Sequence, residues 1–298
     1  MRPSSVTSKF TPAQITRYQN RPLAFLLHYV MRHRLGHAVV LASVFLAVVC
    51  SVCTQYGLKG LIDVISRGPG AQGAWQAFAL LCALITVDNL MWRVGCWVAA
   101  FSFVRVTGDV RSDLFLHLAG HSPSYFAERL PGTLASRVTA TSNAIFQTEN
   151  TSSWNVLPPC LAVCVAIVLL CTVSPTMAGA LALVSLAMAS LIFWLARNGT
   201  PIHRVFATRA ATVDGELVDI ISNMSVVRAF GATFREHRRV NGAIGQEMAA
   251  RRRSLLYLEK LRLLHAVLTA CITAGLLAWG VIMWEHGQAT PGDMVLIC

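Results

Sequence analysis

Four uncharged stretches of about twenty residues dominate this chain, each long enough to cross a bilayer as a helix. They are Ala38–Leu58, Trp154–Val173, Met177–Ala196 and Leu263–Trp284. A longer apolar stretch, Trp75–Val104, is interrupted by Asp88 and Arg93. Another apolar run begins at Met294, and the sequence stops at Cys298. Hydrophobic residues make up 55% of the 298 positions and charged residues 13%, about half the charged share of a soluble domain. The expected fold class is therefore all-α, a polytopic bundle of five complete transmembrane helices plus the start of a sixth. Its ending reads as a truncated or incomplete transmembrane unit.

Basic residues set the expected orientation, because short loops rich in Lys and Arg stay cytoplasmic. Residues 1–34 carry six, residues 105–150 four and residues 197–262 twelve, against two in residues 59–74 and none in the Ser-Pro-Thr turn at 174–176. The N-terminus and both long connections are expected on the cytoplasmic side of the inner membrane, and the +11 net charge follows from those faces meeting anionic lipid. Because the basic residues track topology, a nucleic-acid partner is not expected. Residues 1–20 read as a polar disordered tail. Residues 22–34 read either as an interfacial helix, with Pro22 at its first position, or as an extension of the first span.

The two long connections carry the remaining information. Val106, Val110, Leu114 and Leu118 recur every fourth residue, and Val213, Leu217, Ile220, Met224 and Val227 alternate steps of four and three. Both show helical periodicity, and the second has the seam pattern of packed helices. Each connection folded on itself gives two helical arms that extend beyond the membrane. At the first tip Ser122 and Pro123 start a short helix bearing Tyr125 and Phe126, with Arg129–Gly132 ending it; at the second, Asn223–Gly231 is a short apolar and aromatic stretch closed by glycine. Exposed aromatics on a stalk suit docking into a partner pocket, or they close the hairpin.

Other clusters point less clearly to chemistry. Asp88, Asn89, Trp92, Arg93 and Cys96 make a polar stripe in the second span, which is either the wall of a translocation cavity or an internal pairing that fixes packing. Cys50 with Cys53 and Cys160 with Cys164 lie at lipid depth, where free cysteine is an apolar filler. His117 and His121 share a helix face without an evident third metal ligand. No catalytic set can be assembled, and no metal site is expected.

The motif from Arg111 to Thr139, R-x-x-L-F-x-H-L-x-x-x-S-x-x-Y-F-x-x-R-x-x-G-x-L-x-S-R-V-T, resembles the first intracellular loop of ABC exporter transmembrane domains. Gly215–Ala232 resembles the second such loop, and Ala289–Met294 the entry to the sixth helix, so the resemblance spans residues 21–298. It implies that Ser122, Pro123, Tyr125, Phe126, Glu128, Asn223, Val226, Val227 and Arg228 couple to a nucleotide-binding domain. In such a domain the cavity-wall reading of the stripe would make Asp88, Asn89, Trp92 and Arg93 translocation-pathway residues. Homo- or heterodimerisation with a second transmembrane domain is expected. The chain has no Gly-Lys dipeptide and hence no phosphate loop, so ATP and Mg are expected on a missing or partner ATPase domain. Asn143 stands where an acidic residue is common in the family, and Thr233 where a glutamate often follows. The rival readings are a secondary transporter or channel subunit, for which such arms are unusual, and a membrane-anchored interaction module.

Overall fold

The computed structural model describes residues 18, 21–66, 68, 73–127, 131–172, 174–287, 290 and 292. The expected tail at 1–20, except Tyr18, lies outside these residues, as do Glu128 and the sixth apolar run from 294. Among the described residues every regular element is helical: α1 Pro22–Arg32, α2 Arg34–Ile65, α3 Ala74–Ala119, α4 Pro123–Ala127, α5 Pro131–Thr151, a π-helical turn Ser152–Val156, α6 Leu157–Leu170, α7 Pro175–Ser222, α8 Met224–Ala229 and α9 Thr233–Glu285. Five helical stretches are long and apolar enough to cross a membrane: Arg34–Ile65, Ala74–Ala119, Leu134–Leu170, Pro175–Ser222 and Thr233–Glu285. At 1.5 Å per residue the 46 residues of α3 extend about 70 Å, more than twice a hydrocarbon core. The apolar segments therefore run on into polar arms without a break. The chain divides into two compact units, Met1–Val173 with Ala289–Leu296 and Ser174–Gln288 with Ile297–Cys298.

In the first unit α2 and α3 pack along a seam of small residues. Lipid is as apolar as a leucine side chain, so helices gain little by hiding apolar surface from it and must rely on close packing and polar bonds. Gly95 and Ala99 on α3 supply that closeness, with a Cβ at Gly95 coming within 3.4 Å of the Ser43 Cβ. Around them Val40, Val44, Val48, Ala99 and Phe103 form a buried cluster, joined by Trp92 and Trp154. The π-helical turn, which the sequence reading did not anticipate, precedes Pro158 and Pro159. Neither proline has an N–H to give the turn before it, so the ladder widens and the Leu157 N–H reaches the Ser152 carbonyl. Trp154, within this turn, lies 5.9 Å from the Trp92 ring.

Polar bonds tie the same helices together near the polar end. His37 Nδ1–H donates to the His33 carbonyl at 3.0 Å, and its Nε2 lies 3.1 Å from Glu149 Oε1, joining α2 to α5. The ring stacks on Phe103 of α3 at 5.5 Å. Short α1 is a separate helix, broken from α2 at His33. Buried Tyr29 donates its hydroxyl to Asp113 Oδ2 at 3.1 Å, and Arg32 Nη1 lies 3.3 Å from the same oxygen. Asp109 receives Arg32 Nε at 3.5 Å and His33 Nε2 at 2.9 Å. Burial first, then the Asp113 charge, pushes the Tyr29 hydroxyl far above the ordinary phenol range and keeps it a donor. The face of α1 bearing Tyr29, Phe25 and Leu26 thus meets Val106, Val110 and Ile145 with its polar groups satisfied.

In the second unit α7 and α9 pair along their arms. Val213 of α7 and Val240, Ala250 and Ser254 of α9 are buried. Pro201, inside α7, leaves the carbonyl four residues back without its usual donor. Two residues earlier, Gly199 has no side chain, and the Tyr257 ring occupies that place while its hydroxyl donates to the Leu195 carbonyl at 2.6 Å. His203 Nδ1 lies 2.7 Å from Ser254 Oγ, and Arg209 Nη1 donates to Gln246 Oε1 at 2.7 Å.

Two substitutions test these joints. Asp113→Ala leaves Tyr29 and Arg32 without their shared acceptor, and a loss of about 3 kcal/mol is expected. The readouts are a lower unfolding midpoint and faster tryptic cleavage at Arg32 and Arg34; wild-type protection would contradict the clamp. Gly199→Ala sets an overpacking cost of about 1–3 kcal/mol against a helix-propensity gain of about 1 kcal/mol. Net destabilisation is expected in a thermal melt, because the rigid Tyr257 ring must leave its site; a raised midpoint would show that the ring does not occupy it.

Candidate functional site

The tips of the two arms are built by local capping chemistry. At the first, α3 ends where the Gly120 N–H bonds the Leu116 and His117 carbonyls. His121 Nδ1–H then donates to the His117 and Leu118 carbonyls at 3.0 and 3.2 Å, which turns its ring across the helix end. His117, His121, Tyr125 and Phe126 follow one another ring against ring, with centroids 5.1, 4.2 and 5.6 Å apart. Ser122 and Ser124 hydroxyls meet at 2.8 Å, and the Tyr125 N–H closes a turn onto Ser122. Pro123 opens α4, whose fixed φ suits a first helical residue. Tyr125 is half-buried behind His121, so Phe126, 39% exposed, is the aromatic presented outward rather than an exposed pair. Pro131 and Gly132 belong to the start of α5 and do not end α4. Arg111 steadies α5 through Ser142 Oγ at 2.8 Å and Asn143 Oδ1 at 3.1 Å, so neutral acceptors serve it there.

At the second tip Asn223 ends α7, its side chain donating to the Asp219 carbonyl at 2.9 Å. After α8 the Ala232 N–H bonds the Val227 carbonyl at 2.8 Å and the Gly231 N–H bonds Arg228 at 3.0 Å. That paired closure is the Schellman ending, and it needs the left-handed φ of +61° that Gly231 adopts. The closure leaves Val226 exposed, Val227 half-buried, Arg228 exposed, and Phe230 81% exposed. Phe230 belongs to the apolar and aromatic stretch read from the sequence but lies outside the coupling residues that the resemblance implied; exposed Phe234 was not singled out. The glycine two positions before the start of α9 was the available signal, since a Schellman ending throws the residue before it outward. Arg239 of α9 lies 3.1 Å from Glu236, 3.7 Å from Glu216 and 3.8 Å from Asp219, bracing the arms below this tip.

The stripe in α3 divides between two environments. Asp88 and Trp92 are half-buried, whereas Asn89, Arg93 and Cys96 are exposed. Asp88 Oδ1 is buried without a hydrogen-bond partner, and among the described residues Asp88 and Arg93 form no ion pair. Asn89 Nδ2 donates to its own helix, at the Ile85 carbonyl, 2.8 Å away. The cysteines described, including Cys50, Cys53, Cys160 and Cys164, are free thiols. Among the described residues no three His, Cys, Asp or Glu side chains gather as a metal-binding group.

This arrangement of long helices with cross-helices at their tips has known counterparts. Residues 38–298 match the family described as ABC transporter transmembrane region. An ATM1-type heavy metal exporter of Novosphingobium aromaticivorans is 25% identical over 286 residues, covering 90% of this chain and 45% of that protein. A solved bacterial Atm1-family ABC exporter with ATP bound aligns with a TM-score of 0.75 at 20% identity, over 90% of this chain and 47% of that one. The chain thus spans about half the length of the relatives it matches.

The division of the α3 stripe can be measured. With the native cysteines replaced, a cysteine at Arg93 is expected to react with a hydrophilic thiol reagent several-fold faster than one at Asp88. Equal rates would mean that the stripe faces a single environment.

Proposed function

We propose, because the chain belongs to the ABC transporter transmembrane region family, that it builds half of the substrate pathway of an ATP-driven exporter. The observation that carries the proposal is the pair of tips: each arm ends in a short helix that holds an exposed apolar side chain at the far end of a rigid stalk, Phe126 on one and Val226 with Phe230 on the other. Such a side chain has no core to enter within its own arm and fits a pocket on a soluble partner. The partner in this reading is a nucleotide-binding domain that carries ATP and Mg. Ser122, Pro123, Tyr125, Phe126 and Glu128 would meet it from the first tip, and Asn223, Val226, Val227 and Arg228 from the second.

In this reading two copies, or this chain and a related one, enclose the pathway in the inner membrane, with the N-terminus and both tips cytoplasmic. Asp88 and Arg93 contribute polar groups to the pathway wall, together with Asn89 and Trp92. A carboxylate buried at membrane depth is costly unless water or a partner group meets it, and the unpartnered Asp88 oxygen supports that placement. Closing of the ATPase domains would draw the tips together, and the continuous helices would carry that movement to the membrane. The relative's name makes a heavy-metal complex the first cargo to assay.

The test is made with the chain assembled with an ATPase domain in proteoliposomes. Replacing Phe126 and Phe230 by Ala is expected to lower substrate-stimulated ATP hydrolysis and transport about tenfold or more, since each interfacial anchor lost costs about 1 kcal/mol or more and about 1.4 kcal/mol is a factor of ten. Insertion and helix content should remain at wild-type levels. Wild-type coupling in the double variant would remove the tips from the mechanism.

A further inference from the structure

We infer that the cavity at the start of α2 is a binding site for the phosphate headgroup of an anionic lipid. It has a volume of about 280 Å³, and its lining includes Arg32, His33, Arg34, Gly36, Ser102 and Arg105. No carboxylate is in that lining. Arg32 and His33 are committed to Asp109 and Asp113. Arg34 and Arg105 are exposed and have no hydrogen bond or ion pair among the described residues. Three arginines against two aspartates leave one positive charge in excess, which matches one phosphodiester.

The neutral groups point to the same ligand. Ser102 is more than nine-tenths buried, yet its hydroxyl has no hydrogen-bond partner among the described residues and lines the cavity. A Cβ at Gly36 would collide with that hydroxyl, so only glycine lets the first turn of α2 approach it. No side chain caps this turn, which leaves its N–H groups without a side-chain acceptor.

Position selects a lipid over a free anion. The uncharged run of α2 begins at Ala38 and the apolar stretch of α3 ends at Val104, so the cavity lies at the boundary between hydrocarbon and water, where headgroups are. Leu35, Val39, Phe101 and Val104 are exposed apolar side chains beside the basic groups, suited to acyl chains running away from the phosphate. The inference depends neither on transport nor on which side of the membrane the N-terminus lies.

The experiment uses the full chain purified in detergent, titrated with phosphatidylglycerol or phosphatidylcholine and read by native mass spectrometry. Wild type is expected to retain phosphatidylglycerol preferentially. Each of R34Q and R105Q should weaken that binding roughly 5-fold and the double variant roughly 30-fold. The variant R137Q/R252Q, which removes the same charge elsewhere, should bind as wild type. Circular dichroism checks folding, and if the double variant does not fold, the single variants decide. Equal retention of the two lipids, or unchanged binding in R34Q and R105Q, overturns the proposal. Displacement of phosphatidylglycerol by inorganic phosphate at equal concentration overturns it too, because the site would then recognise a soluble anion.

Discussion

Hydrocarbon cannot hydrogen-bond a peptide group, and everything else in this protein depends on that constraint. Each N–H and C=O at membrane depth must find its partner within the chain, which leaves the α-helix as the solution for separate spans. Where the sequence interrupts the ladder, the fold responds locally. Pro158 and Pro159 follow a π-helical turn in which the Leu157 N–H reaches the Ser152 carbonyl. Helices that are continuous through the membrane boundary can then act as levers, with little slack between the lipid and the tips.

The same medium changes what holds helices together. Apolar contact with a neighbour is worth little more than contact with lipid, so discrimination falls to small residues and to scarce polar groups. In the first unit, Gly36, Ser43, Gly95 and Ala99 set the approach of α2 and α3, while His37 and Glu149 bring in α5. The ion-paired group at Tyr29, Arg32, Asp109 and Asp113 fixes α1 by a different logic. Tyr29 and Asp113 at its centre are buried, so each needs a partner, and removing one would leave the other stranded.

Much of the fold was legible in the sequence because one variable, the length of uncharged apolar runs, reports bilayer crossing directly. The long connections were legible as arms for a related reason: apolar residues three and four apart continue beyond the last lipid-facing position. The tips were legible in part. Pro123 and Gly231 announce the ends of elements, but the exposure of a single ring depends on which neighbour covers it. His121 covers Tyr125, and Phe230 is turned outward by the closure onto Gly231. The stripe in α3 divides between half-buried and exposed members because they spread over more than a third of a turn, wide enough for Trp92 to meet Trp154 while Arg93 is exposed.

By itself the sequence determined the five long apolar helices and the membership of the chain in its family, since these follow from composition and order along one dimension. Tertiary structure alone decided which polar groups were satisfied and which were left available. Asp113 and Arg105 are both charged residues of α3, yet one is enclosed by Tyr29 and Arg32 and the other opens onto a cavity beside an unpartnered serine. That difference comes from packing α1 and α2 against α3, contacts between residues some eighty positions apart. No local pattern encodes it, because a hydrogen bond or an ion pair depends on distance in space and not on separation along the chain.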